Sequence, residues 1–213
     1  MAGNSLSINR ERTALVLIDL QKGIVVRDTK PYGAAEVVSN AVRLARKFRE
    51  KNMPIFFVHV DFRNAMPLLV ESDSSIGGGT PPPDWTEFVD ELGVTADDLV
   101  VTKRQWGAFY GTDLEQQLRR RKIDTIVLGG IATTYGVEST ARFAFEYGFN
   151  QIFAEDAMSD LADESHRVSV EFVLKRMGKV RKTEEILSLF MDNEFPAIPA
   201  YFYNAYNFNW KVP

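Results

Sequence analysis

The sequence predicts a three-layer α/β/α domain of Rossmann-like type, built on a mostly parallel sheet of about six strands. Two observations carry this. Short β-rich runs alternate with segments of helical period, the signature of strand–helix–strand units. Several of those runs are apolar almost throughout rather than at every second residue, as strands buried on both faces must be. Thr13-Ala14-Leu15-Val16-Leu17-Ile18 is the clearest of them.

The elements follow in order. The first run ends at Asp19. Val38, Ala41, Val42, Ala45 and Phe48 then recur at spacings of three and four, so residues 34–51 form an amphipathic helix that Pro54 stops. Ile55 to Val60 is a second buried strand, Leu99 to Thr102 a third, Thr125 to Leu128 a fourth and Ile152 to Ala154 a fifth, while Lys179 to Arg181 suits a short edge strand. Helices fall at Thr112 to Arg121, Gly136 to Tyr147 and Asp163 to Met177, with Thr183 placed to N-cap a last short one. Arg63 to Trp85 interrupts the alternation. It carries Gly77-Gly78-Gly79 and Pro81-Pro82-Pro83, and a loop of this length is either a cover for a pocket or a surface insertion. Its glycines are no phosphate loop, because no Gly-Lys-Ser/Thr follows them.

Composition narrows the class. The 213 residues suit one domain, 1–213, and 45% hydrophobic with 25% charged residues is ordinary for a globular protein. No apolar run approaches the ~20 residues of a membrane span, and residues 1–12 are too polar for a secretory signal, so a cytoplasmic protein without a membrane partner is expected. The net charge of −4 speaks against nucleic acid, and Arg119-Arg120-Arg121-Lys122 reads as a solvated helix end. The absence of cysteine excludes disulfides, thiolate metal sites and thiol nucleophiles. The aromatic tail at 195–213 has no regular period. Its rings, from Phe195 to Trp210, are expected to pack on their own domain or on a neighbouring subunit.

In an open parallel sheet the ligand crevice lies beyond the carboxyl ends of the strands. Asp19, His59, Lys103 and the turn around Gly136 fall at such ends. A buried carboxylate needs a cationic partner, and Asp19 and Lys103 can provide that for each other. Trp106, Phe109 and Tyr110 interleave with Lys103 and Arg104, and would make an aromatic wall beside two cations suited to a small planar carboxylate. Core packing is the other reading, and it fits Phe109 better than Trp106. His59 either lines the pocket or is a satisfied core histidine. His166 reads as a surface or packing residue of its helix.

Three segments stand in order along the chain: Leu17-Ile18-Asp19-Leu20-Gln21, the stretch from Lys103-Arg104-Gln105-Trp106 to Leu114, and Gly129-Gly130-Ile131-Ala132-Thr133-Thr134-Tyr135-Gly136-Val137 running on to Arg142. Together they resemble the motifs of the isochorismatase-like hydrolases, also called the cysteine hydrolase family, over nearly all of residues 13–190. The resemblance implies Asp19 as the proton-transfer residue, Lys103 as the residue that orients and charges the site, and a cis peptide between Ile131 and Ala132. It implies a substrate pocket that also takes in Gln21, Arg104, Trp106 and Phe109. From the third motif it would add Ile131, Ala132, Thr133 and Tyr135.

One position departs from the amidases of that family. Gly136 stands where they carry the nucleophilic cysteine. Isochorismatases of the same family resemble this chain in having glycine there, and cleave a vinyl ether by acid-base chemistry. The resemblance therefore implies a hydrolase of a small organic substrate, without a cofactor, that uses Asp19 and Lys103. A ligand-binding protein that keeps the pocket, or an amidase whose cysteine was replaced at Gly136, are the alternatives. Thr133, Thr134, Tyr135 and Ser139 lie near in sequence, but hydroxyls at helix starts are more often caps or packing groups than nucleophiles. A helix beginning near Gly136 is expected to aim unpaired N–H groups at the pocket. Nicotinamidases of the family bind a metal through an Asp-x-His pair, whose counterpart here is Asp61-Phe62-Arg63, so no metal is expected. Family members form dimers or tetramers, and a homo-oligomer is expected on that ground.

Overall fold

A computed structural model describes residues 7–63, 70–73 and 80–190. The aromatic tail at 195–213, with its expected part in an oligomer, and Gly77-Gly78-Gly79 lie outside the described residues.

The first strand, β1 (Thr13–Ile18), is buried at every residue. It is followed by a short helix α1 (Lys22–Val25), the long α2 (Ala34–Glu50) and β2 (Ile55–Val60). Next come β3 (Leu99–Lys103), α3 (Leu114–Arg120) and β4 (Thr125–Ile131). The chain continues through α4 (Glu138–Glu146), β5 (Asn150–Ser159), α5 (Asp163–Val168), α6 (Lys175–Met177), β6 (Lys179–Arg181) and α7 (Thr183–Ser188). The six strands form one sheet in the order β3-β2-β1-β4-β5-β6, and every neighbouring pair is parallel. Ile18 pairs with Val58 on one side and Gly130 on the other, so β1 is where the strand order reverses. Its carboxyl end opens the crevice of such a sheet.

Both faces of the sheet are covered, which is why β1 shows no alternation. Ala14, Val16 and Ile18 pack towards Leu114 and Leu118 of α3 and Ala141 and Ala144 of α4. Leu15 and Leu17 pack towards Val37, Ala41, Leu44 and Phe48 of α2 and Ile186 of α7. Among the described residues no helix is long and apolar enough to cross a membrane.

Several boundaries differ from expectation. β4 runs on through Gly129-Gly130 to Ile131, because these glycines pair with Leu17 and Ile18 instead of turning. Gly130 has φ 128°, and a Cβ there would lie 2.0 Å from the Ile18 carbonyl oxygen. The pairing of β4 with β5 shifts register between Leu128 and Gly130, a bulge of the kind that re-aims a strand end. β5 continues past Ala154 through Glu155 and Asp156, since both carboxylates find partners. Thr183 is the first residue of α7, not its cap; its N–H and hydroxyl both donate to Asp156 Oδ1, at 2.6 and 2.7 Å. α3 begins at Leu114 instead of Thr112. The two longer helices of the second half each contain a wide turn, at Thr133–Val137 and Ser169–Leu174.

Candidate active site

The site begins where β1 stops. Asp19 leaves the strand in the left-handed conformation, φ 53°, which aspartate enters more readily than most side chains. Its N–H stays tied to Val58 O at 2.8 Å, so the carboxylate projects from a fixed backbone. Lys103, the last residue of β3, places Nζ 2.8 Å from Asp19 Oδ2, with the two side chains 2% and 7% exposed. The ammonium also donates to Gln105 O at 3.1 Å. Asp19 Oδ1 is buried and has no hydrogen-bond partner. Burial raises the Asp19 carboxyl above its ordinary value, and the charge and hydrogen bond of Lys103, with His59 and the Val60 backbone, pull it back only in part. A buried acid in this state holds its proton more readily than a surface aspartate does.

Gly136 lies against the pair. A Cβ there would sit 2.8 Å from Ile18 Cγ2 and 3.1 Å from Asp19 Oδ2. The neighbouring Ile131–Ala132 peptide is cis, as the motif resemblance implies.

Asp19, Lys103 and Gly136 share one cavity of about 150 Å³ with Ile131, Ala132, Trp106 and Tyr135. Trp106 is 56% exposed at the mouth and meets Tyr135 edge-on, with ring centroids 4.9 Å apart. Four residues expected in the pocket do not line it. Gln21 is fully buried beside it, bonded to Val60 O, Trp85 O and Val60 N, so it joins β2 to the 85–88 segment. Arg104 turns outward and donates to Asp61 O. Phe109 stacks among Tyr147 and Phe149 in the core. Thr133 is fully buried behind the turn. His59 is a satisfied histidine, with Thr86 O and Thr102 Oγ1 each 2.8 Å from its ring nitrogens. The Asp61 carboxylate accepts from the Arg63 side chain, at 3.1 Å from Nε.

The expected bank of free N–H groups is largely closed. Thr134 N donates to Asp160 Oδ2 at 2.6 Å, and Tyr135 and Val137 N both donate to Ala132 O at 3.2 Å. Behind the turn a polar chain reaches the surface. Thr133 Oγ1 bonds His166 Nδ1 at 2.8 Å, and His166 Nε2 lies 3.4 Å from Glu155 Oε1. Glu155 also accepts from the Tyr32 hydroxyl at 3.0 Å and from Lys182. His166, 2% exposed, is therefore a buried polar link and not a surface residue. Burial alone would push Glu155 up, but hydrogen bonds from His166, Lys182 and Tyr32 outweigh it and hold the carboxyl at about 2.

Six lining residues escaped sequence reasoning: Ile24, Arg27, Val60, Phe62, Trp85 and Leu161. Trp85 had a faint signal, as the end of the loop expected to cover a pocket. Its indole lies over Gly23, where a Cβ would be 2.0 Å from Cδ1. Arg27 had none, because a lone arginine in a polar stretch reads as solvated.

A parallel sheet with a buried Asp–Lys pair at its reversal point is an α/β protein with its candidate site at the switch point of the strand order. The chain belongs to the isochorismatase family: the model of the isochorismatase domain matches residues 13–185. It is 53% identical over 187 residues to YwoC of Bacillus subtilis strain 168, an uncharacterised isochorismatase family protein, covering 86% of this chain and 97% of that one. Identity to YecD of Escherichia coli O157:H7, described in the same words, is 49% over 187 residues, covering 86% and 98%. A solved isochorismatase family protein from Burkholderia thailandensis superposes with a TM-score of 0.83 at 40% identity, covering 87% of this chain and 98% of that one.

Proposed function

We propose that this chain hydrolyses a small organic substrate by acid-base chemistry, with Asp19 as proton donor, Lys103 as its countercharge and no covalent intermediate. The observation that carries this is the buried Asp19–Lys103 pair, which lines a cavity with no side chain at position 136 and in which Asp19 Oδ1 has no hydrogen-bond partner. For a vinyl ether the step is as follows. The alkene π pair takes the proton from Asp19, and the ether oxygen's lone pair stabilises the cation. Water then adds to that carbon and returns a proton to the carboxylate. The hemiketal collapses to a ketone and an alcohol. Lys103 stabilises the carboxylate while it is bare.

An amidase that lost its cysteine is disfavoured by the space around Gly136. Ile18 Cγ2 is a branched methyl on a buried strand, so a side chain at 136 forces the strand or the Asp19 carboxylate aside.

The test is a screen of the purified chain against vinyl ethers, amides and ureas with products detected by mass, followed by Asp19→Asn. That variant keeps shape and suits the left-handed backbone while removing the proton. Turnover should fall roughly 100- to 10,000-fold with little change in ligand affinity. Binding without turnover of any substrate, unchanged in Asp19→Asn, points instead to a ligand-binding protein.

A further inference from the structure

We propose that Arg27 is the anchor for a carboxylate on a flat, otherwise apolar substrate. The inference rests on the hydrolase reading of the same cavity and adds the class of molecule it takes. Arg27 lines the cavity together with Asp19 and is partly buried. Among the described residues it has neither a hydrogen bond from its guanidinium nor an ion pair.

Among the described residues, the other cationic groups beside the pocket are engaged. Lys103 is held by Asp19 and Gln105 O. Arg104 is spent on Asp61 O, and Arg63 on Asp61 and Thr86. The backbone N–H groups of Thr134, Tyr135 and Val137 are taken by Asp160 and Ala132. An anionic group entering the cavity therefore finds, among the described residues that line it, Arg27 as the unpaired cation.

The remaining wall sets the body of the substrate. Phe62, Trp85, Trp106 and Tyr135 line the cavity, and Ile24 and Leu161 add aliphatic surface. A guanidinium beside such walls is poorly solvated, and a carboxylate meeting its planar fork with two parallel hydrogen bonds relieves that cost. One fork accepts one carboxylate. The reacting bond then lies at the other end of the molecule, towards Asp19.

Benzoate and its neutral isostere benzamide serve as probes, titrated by calorimetry against the whole chain. The wild type should prefer benzoate roughly tenfold or more, and added salt should weaken benzoate alone. Arg27→Gln should abolish the preference while keeping the melting temperature, and Arg27→Lys should keep part of it, as a point charge without the fork. If Arg27→Gln does not fold, Arg27→Lys and the salt dependence of the wild type decide the question. The proposal is overturned if the wild type binds benzoate no better than benzamide, which includes binding neither, or if the preference survives in Arg27→Gln. Benzoate preference without cleavage of any vinyl ether, amide or urea defeats the hydrolase reading and leaves the anchor standing. Cleavage that ignores whether the substrate carries a carboxylate does the reverse.

Discussion

Gly136 and Asp19 occupy each other's room. With a Cβ at 136 only 3.1 Å from Asp19 Oδ2 and 2.8 Å from Ile18 Cγ2, even alanine overfills the contact. Gly136→Ala should lower stability by about 1 to 3 kcal/mol and, under the acid-base reading, turnover by more than the fraction unfolded explains, because Asp19 Oδ2 is one of the two groups crowded. Denaturant unfolding beside steady-state rates checks this, and a variant as stable and active as wild type shows the contact to be slack. Asp19, Lys103 and Gly136 were legible in the sequence because each sits in a contiguous motif at a strand end. Arg27 and Trp85 reach the cavity by the course of α1 and of the 80–88 segment, which no local pattern encodes. Gln21 failed in the opposite sense. It stands in the right motif, but three hydrogen bonds to the Val60 and Trp85 backbone hold it as a bracket beside the pocket.

Among the elements, β5 departs furthest from its sequence pattern. Glu155 and Asp156 look like the end of an apolar run, yet the strand extends to Ser159 because each carboxylate is satisfied from outside the sheet. Asp156 holds the start of α7, and Glu155 gathers Tyr32, Lys182 and His166. Such pairings join residues far apart in the chain and leave no trace in local periodicity, whereas β1 and α2 were readable from their own residues. The Glu155 carboxyl is held at about 2 against an ordinary 4.5, so its contribution is present above pH 4.5 and lost as pH falls towards 2. Between about pH 5 and pH 2.5 the wild type should lose about 1 to 2 kcal/mol more stability than Glu155→Gln, less than the whole shift implies because solvent screens Lys182. Guanidinium unfolding of both chains at several pH values measures it. Parallel pH dependence in the two would place the stabilisation elsewhere.

For the molecule as a whole, strand order decides where the crevice opens. β1 lies between β2 and β4, so the crossovers leave its carboxyl end uncovered, and the alternation of runs in the sequence sufficed to predict that crevice. The sequence did not reveal how the crevice is walled, since Phe62, Trp85 and Leu161 come from connections between elements. Glycine at the head of α4 also sets how this protein meets a hostile environment. The chain has no sulfhydryl anywhere, so iodoacetamide finds no thiol to alkylate and peroxide no thiolate to oxidise in the pocket. Under the acid-base reading, turnover should persist through doses of either reagent that silence a hydrolase working through cysteine.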